Sequence, residues 1–386
     1  MRGFLINQLF MKELTYILGA GASFQSIPIV KTFSNRFNEF LTWIENDIIK
    51  ANGFSADEKQ KFGILLDLGK RLHSSFESHQ SFDTYFKKLF HTGQKPKISE
   101  DKKVLNLYFI WEHLSVAVPK PDKYDDFKFW KQSVIDKRYD ALIAGFLQPL
   151  ANEKVPYCKI NFITWNYDLN LFMSLKNYFS PNTKIGDFFD EINKRNGVWE
   201  IQNEITVINM NGFFYSTEFA VLSTLDYPNI HQIIYSKIKD ESYFKSLNTG
   251  SFRYSASDQD EDAELIKFAW ENDKLAEGMF PQQVILANNK IASSENIIII
   301  GYTFPLYNRL LDLACLEQKY IGSTRIVIQD PSAEIIRQNL LDYYQLSDND
   351  ALRKNVKTIK DCESFYIPSN IFGISEYRKK FDAARY

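Results

Sequence analysis

Five short apolar runs, none alternating strictly between polar and apolar, constrain this chain more than any other feature. They are Leu14–Leu18, Ile160–Trp165, Ile205–Ile208, Asn296–Ile300 and Arg325–Ile328. A strand covered on both faces has no polar side, and four to six residues is strand length rather than helix length. Each run gives way at once to small or polar residues: Gly19-Ala20-Gly21-Ala22-Ser23, Asn166-Tyr167-Asp168, Asn209-Met210-Asn211-Gly212, Gly301-Tyr302-Thr303-Phe304 and Gln329-Asp330-Pro331-Ser332. Helical patterns follow several of them. Phe33, Phe37, Phe40, Leu41, Ile44 and Ile48 share one face at 3.6-residue spacing, as do Leu306, Leu310, Leu313 and Leu316, and Ile335, Ile336, Leu340 and Leu341. Strand then helix, repeated, predicts a parallel sheet.

The expected fold class is therefore α/β, a Rossmann-like parallel sheet with two mainly helical insertions, in a single domain over 1–386. The insertions are expected at roughly 50–155 and 223–283. In the first, Phe127, Trp130, Val134, Ile135, Tyr139, Leu142, Phe146 and Leu150 form the clearest helical face. The second contains a polar stretch, Ser251 to Glu264, read as a loop, leading into a helix from about Ala263 to Ala276. The 386 residues are also long enough for two or three domains, but the chain has no internal repeat or low-complexity tract that would separate them.

Composition narrows the partners. The 46 basic and 48 acidic side chains leave a net charge of −2, which argues against nonspecific nucleic-acid binding or attachment to an anionic membrane. With 32 Phe and 21 Tyr the chain can bury a large core. Its three cysteines, Cys158, Cys315 and Cys362, form no Cys-x-x-Cys pair, so neither a zinc ribbon nor a disulfide framework is expected. Met1 to Phe10 is too short for a secretory h-region, and Ile297 to Ile300 is too short to span a bilayer. A soluble, cytoplasmic protein is expected.

In an open parallel sheet, ligands bind beyond the carboxyl ends of the strands, where all five polar segments would converge. Gly19, Ala20 and Gly21, with Ser23, form a glycine-rich turn of the kind that lets backbone approach a pyrophosphate. Phe24 stands where a dinucleotide fingerprint has its third glycine, and no acidic residue stands out about twenty positions on at the end of a second strand. Hydride transfer to a nicotinamide cofactor is thereby disfavoured, and a tight turn with no ligand is the competing reading. Ser23 and Thr303 are candidate phosphate or ribose partners, and Asp330 a partner for the adenosine ribose; each could equally be a cap or turn residue. Asn166 could cap the following helix, Asp168 could complement its dipole, and Asn211-Gly212 could be a plain turn. The spacing of His73, His79 and His91 makes no metal site. His113 reads as packed, and His231 is a remote candidate to reach the pocket.

Three of these segments resemble one family. Gly19-Ala20-Gly21-Ala22-Ser23 followed by Ile27-Pro28 resembles the opening of the sirtuin fold, Thr164-Trp165-Asn166-Tyr167-Asp168 the T-x-N-Y-D variant of its bacterial NAD-hydrolysing branch, and Gly301-Tyr302-Thr303-Phe304 that branch's late G-Y-S-F segment. The matches keep the family's order over about 285 residues. The resemblance implies cleavage of the nicotinamide–ribose bond of NAD, with Asn166 orienting water or ribose and Asp168 hydrogen-bonding the nicotinamide amide. It implies Gly19, Ala20, Gly21, Ser23, Gly301, Thr303 and Asp330 along the nucleotide, and no metal. The family places a His before Gly where this chain has Asn211, which cannot take a proton near neutral pH. Turnover by another base or by none, a weak or inactive member, and an introduced His-to-Asn change all fit that residue.

By the same resemblance the leading expectation is an NAD glycohydrolase of antiphage defence. It would form a homo-oligomer and be restrained by a HerA-family ATPase partner, since the chain has no Walker A motif of its own. The alternative is a catalytically silent subunit that binds NAD or ADP-ribose. Protein deacylation is disfavoured, because that branch needs a four-cysteine zinc module and the His.

Overall fold

A computed structural model of the chain describes residues 13–115, 133–148, 156–183, 188, 193–195, 198–211, 230–239, 266, 268–271, 280–316, 324–343 and 354–372. All five apolar runs are strands: β1 (Glu13–Leu18), β2 (Lys159–Thr164), β5 (Ile205–Asn209), β6 (Asn296–Ile300) and β7 (Arg325–Gln329). Three further strands join them, β3 (Asn193–Arg195), β4 (Val198–Ile201) and β8 (Val356–Ile359), in one sheet of order β3-β4-β5-β2-β1-β6-β7-β8. The six strands β5, β2, β1, β6, β7 and β8 are parallel, while β4 runs antiparallel to β5 and β3 antiparallel to β4. Counted along the chain, the parallel strands stand third, second, first, fourth, fifth, sixth. Winding therefore reverses between β1 and β6, and the crevice at such a switch point is where an open α/β sheet takes its ligand.

The extra strands escape the apolar-run signal for local reasons. β4 is only four residues long with Glu200 exposed, and it reaches β5 through a turn in which Gln202 and Asn203 take positive φ of 53° and 60°. That is type I′ geometry, which Asn tolerates well. β8 is an edge strand with one residue in four buried, so it has little apolar character to read.

Helices cover both faces of the sheet. Leu14, Tyr16, Leu18, Phe162 and Val207 point into a core shared with α1 (Val30–Trp43, continuing as a π-helical turn Ile44–Ile49), α2 (Ala56–Glu77), α3 (Phe82–His91), α4 (Lys95–Leu114), α5 (Lys137–Phe146), α6 (Asn170–Phe179) and α7 (Ile230–Lys239). Ile17, Ile163, Ile208, Ile299 and Ile328 point the other way, into a core with α8 (Gln282–Ser293), α9 (Arg309–Cys315) and α10 (Ala333–Tyr343). Double coverage is why the central strands read as continuous hydrophobic runs.

The helix predictions meet mixed outcomes. All six residues of the Phe33–Ile48 face are buried. On α9 the expected face is met only at Leu316. After the 3-10 turn Leu306–Asn308, Leu306 and Leu310 lie in solvent, and the buried residues are Leu311, Asp312, Cys315 and Leu316. Ile335 of α10 is likewise exposed, whereas Ile336, Leu340 and Leu341 are buried. In the first insertion Val134 and Ile135 precede the helix, because Asp136 caps α5 through the Arg138 N–H. Tyr139, Leu142 and Phe146 are buried as expected, and Phe127, Trp130 and Leu150 lie outside the described residues. So do Ser251 to Glu264. Of the helix expected at Ala263–Ala276, the described part is Ile266 and Phe268 to Glu271, and it contains a 3-10 turn at Ala269–Glu271. Among the described residues no helix is long and apolar enough to cross a membrane.

The switch point is held by backbone meeting backbone. The Gly19 N–H donates to the Ile300 carbonyl at 3.0 Å, and the Gly21 N–H donates to the Gly301 carbonyl at 3.1 Å. A Cβ on Gly19 would lie 2.5 Å from the Gly301 carbonyl oxygen, and one on Gly301 would lie 2.4 Å from Gly21 Cα. Gly301 also has a φ of +60°, in the left-handed region that favours glycine. These glycines let the β1 and β6 loops interlock. Gly301→Ala combines left-handed strain with a backbone clash, and is expected to destabilise the protein by at least about 2 kcal/mol. Chemical denaturation of variant and parent checks this.

Candidate functional site

The polar segments after β1, β2, β5, β6 and β7 open onto one cavity of about 760 Å3 at the carboxyl ends of the strands. That volume is within the range of small-molecule sites. Gly19, Ala20, Gly21, Asn166, Asp168, Asn211, Gly301, Thr303 and Asp330 all line it. Ser23 does not. It lies wholly buried behind the wall, where its hydroxyl receives the Asn166 Nδ2–H at 3.2 Å, meets the Tyr139 hydroxyl at 3.2 Å and hydrogen-bonds the Asp168 carboxylate. Ser23 is thus a positioning residue for Asn166 and Asp168 rather than a group facing a phosphate.

The glycine loop does not lead straight into a helix. One 3-10 turn, Ala20–Ser23, follows β1, and α1 begins only at Val30. With the Gly19 and Gly21 N–H groups given to β6 and its loop, these glycines are required by packing rather than by an anion.

Asn166 sits directly beyond β2, its backbone N–H donating to Thr164 Oγ1 at 3.1 Å. With its Nδ2 committed to Ser23, the side chain is oriented with Oδ1 available to accept from a ligand. Asp168 accepts from the Asn170 backbone N–H at 2.9 Å and from Asn170 Nδ2 at 2.8 Å. Burial raises its pKa, outweighing these hydrogen bonds. The Asn211 amide donates to the Trp165 carbonyl at 2.7 Å, which ties the end of β5 to that of β2. Trp165 in turn stacks on Tyr302, centroids 5.3 Å apart and planes within 6°, across the end of β1. Asp330 accepts from the Ser332 N–H at 2.7 Å, and burial raises its pKa too.

Several cavity residues carried no recognisable sequence signal. Arg138 binds Asp136 through Nε at 2.9 Å and through Nη2, and donates to the carbonyls of Gly21, Ala22 and Cys362 at 3.1–3.2 Å. Its guanidinium lies between Phe24 and Phe365, 4.8 and 4.7 Å from their centroids. It clamps the glycine loop to the segment after β8. Gln329 anchors the same segment by donating to the Asp361 and Ser364 carbonyls, both at 2.7 Å. From the first insertion, α3 contributes Asp83, which is buried and accepts from the Tyr167 hydroxyl at 2.7 Å. Burial raises its pKa from 3.8 to about 6.

The histidines lie elsewhere. His231 packs edge-on against Phe54, centroids 4.7 Å apart, and does not line the cavity, contrary to its candidacy. His113 is buried, its Nε2 accepting from the Leu169 N–H at 3.4 Å. Among the described residues no three His, Cys, Asp or Glu side chains group as metal ligands would. No protein-family model matches the chain, and no curated protein matches it in sequence.

Two stability predictions follow from the geometry. Ser23→Ala removes a shared partner from buried polar groups and should cost about 1–3 kcal/mol, read by thermal or chemical denaturation. For Asp83, the folded state holds a proton between pH 3.8 and about 6 that the unfolded state has released, so stability falls as pH rises through this window. Asp83→Asn should therefore melt above the parent at pH 7.5, by up to roughly 3 kcal/mol. That advantage should fade toward pH 4.

Proposed function

We propose that this chain is an NAD glycohydrolase with a Rossmann-like, sirtuin-type core. The observation that carries the reading is the convergence, on one cavity at the switch point, of the three segments that resemble the sirtuin family: Gly19–Ser23, Thr164–Asp168 and Gly301–Phe304. The six parallel strands follow the order of dinucleotide-binding Rossmann sheets, which supports a dinucleotide as the ligand. On this reading the nicotinamide-ribose enters beside Asn166 and Asp168, and the adenosine ribose lies near Asp330. Lys31 and Arg138 are the cations on the described wall, and Arg138, committed to Asp136 and three carbonyls, would act on the diphosphate by fixing the glycine loop rather than by direct contact.

The reaction asks little of the protein. NAD and water give ADP-ribose, nicotinamide and a proton. The bond between ribose C1′ and the pyridinium nitrogen breaks with its electron pair leaving to the nitrogen, so the leaving group departs neutral without a general acid. Water adds to the oxocarbenium-like carbon and loses its proton to solvent or to a carboxylate. Asn166, held by Ser23, would orient the water or the ribose hydroxyls through Oδ1.

As a defence enzyme that depletes NAD, the protein would act in the cytoplasm as a homo-oligomer held in check by a HerA-family ATPase. The second reading, a silent NAD- or ADP-ribose-binding subunit, is favoured by one observation: Asn211 stands in place of a base and gives its amide to the Trp165 carbonyl. Free nicotinamide released from NAD, by the chain alone and with its ATPase partner, separates the two. The enzyme reading expects release that falls at least about a hundredfold in Asn166→Ala. Binding without release in both settings and after Asn211→His would establish the silent subunit.

A further inference from the structure

The helical insertion between β1 and β2 brings into the cavity a carboxylate that the reaction above does not use. Asp83, from the first turn of α3, is 6% exposed and lines the cavity with Phe33, Phe82, Phe109, Tyr167 and Tyr307. Phe33, Phe82, Tyr167 and Phe109 form a contiguous group: Phe33 to Phe82 4.8 Å, Phe82 to Tyr167 5.6 Å and Phe109 to Tyr167 6.1 Å between centroids. The Tyr167 and Tyr307 hydroxyls hydrogen-bond the carboxylate, and no Lys, Arg or His ion-pairs with it among the described residues. Lys87, one turn further along α3, gives its ammonium to the Tyr307 carbonyl at 2.6 Å instead.

Burying a carboxylate without a counter-charge is costly, and a cation arriving from outside would offset that cost. Aromatic faces around a carboxylate are the surroundings that favour a flat, delocalised organic cation, through the ring quadrupoles and the full charge together. We infer that Asp83 and its aromatic surround form a subsite for a planar organic cation, which selects the charged form of a ligand ring over its neutral counterpart. Taken with the proposed function, on which this identification rests, the ring is the pyridinium of NAD. Asp83 would then hold the oxidised cofactor and reject the uncharged dihydropyridine of NADH. It also disfavours retention of nicotinamide, which is neutral once cleaved.

Other ionisable groups stand near. Tyr167 and Tyr307 touch Asp83; Asp312 and Glu271 lie close to those tyrosines; Asp168, Asp330, Arg138 and Lys31 line the same cavity. Because Asp168 and Asp330 also have raised pKa values, pH alone does not single out Asp83, and the isosteric variant Asp83→Asn is needed beside it.

The test is equilibrium binding to the full chain at pH 7.5 and pH 5, comparing 1-methylnicotinamide with nicotinamide and NAD with NADH, for the parent and for Asp83→Asn with its fold checked by thermal melting. The parent should prefer each cation about tenfold at pH 7.5, less at pH 5, and Asp83→Asn should lose the preference. ADP-ribose, which lacks the ring, should bind both proteins within about twofold. Equal affinity for cation and neutral ring in the parent, or a preference that survives in folded Asp83→Asn, overturns the subsite. Should 1-methylnicotinamide be preferred through Asp83 while neither NAD nor ADP-ribose binds, the cation subsite stands and the NAD reading falls. If NAD binds and its ratio to NADH ignores Asp83, the reverse holds.

Discussion

Everything at the switch point depends on the β1 and β6 loops touching through backbone alone. Gly19, Gly21 and Gly301 leave no room for a Cβ between them, and two hydrogen bonds of 3.0 and 3.1 Å close the contact. A side chain here would push the loops apart and displace everything stacked above: the Trp165–Tyr302 pair, and with it the Asn211 amide that donates to Trp165. Arg138 then secures the glycine loop from the opposite side, its charge matched by Asp136 and its remaining donors spent on three carbonyls. A buried arginine so fully satisfied stabilises one loop geometry, because removing either partner would strand the other's charge.

The cavity that results has two chemically different parts. Around Asn166 and Asp168 a short polar network, routed through the buried Ser23, fixes side-chain direction. Around Asp83 the wall is aromatic and carries a carboxylate whose proton affinity burial has raised to near 6. Contributions to the second part come from the insertion, so the helical layer both completes the core and furnishes part of the site. This division explains how a chain with a conventional sheet can present an unusual pocket.

Legibility in the sequence followed the physics of each feature. The five central strands were readable because burial on both faces leaves an uninterrupted apolar run, and the polar residues that end those runs mark nine of the ten expected site positions on the cavity wall. Ser23 was misplaced because a hydroxyl in a turn has the same sequence signature whether it faces a ligand or a neighbouring side chain. The glycines were found for a reason the structure revises, since the loop-to-loop contact with Gly301 joins segments about 280 residues apart. Asp83 and Arg138 were not readable at all. Each lies in an amphipathic helix where a charged residue is ordinary, and only tertiary packing turns it toward the cavity. On α9 the buried side includes Asp312, which accepts from the Tyr302 hydroxyl, and Cys315, so leucine spacing alone pointed to the wrong side.

On the proposed reading, the cavity at the switch point holds a dinucleotide with its nicotinamide-ribose between Asn166 and Asp83. A structure of the chain bound to NAD, or of Asn166→Ala if turnover is rapid, tests it most directly. The expected structure has the ribose C1′ beside the Asn166 side chain, the pyridinium ring among Phe33, Tyr167 and Asp83, and the diphosphate near the Gly19–Phe24 loop. NAD bound elsewhere, or a cavity that stays empty at saturating NAD, would contradict it.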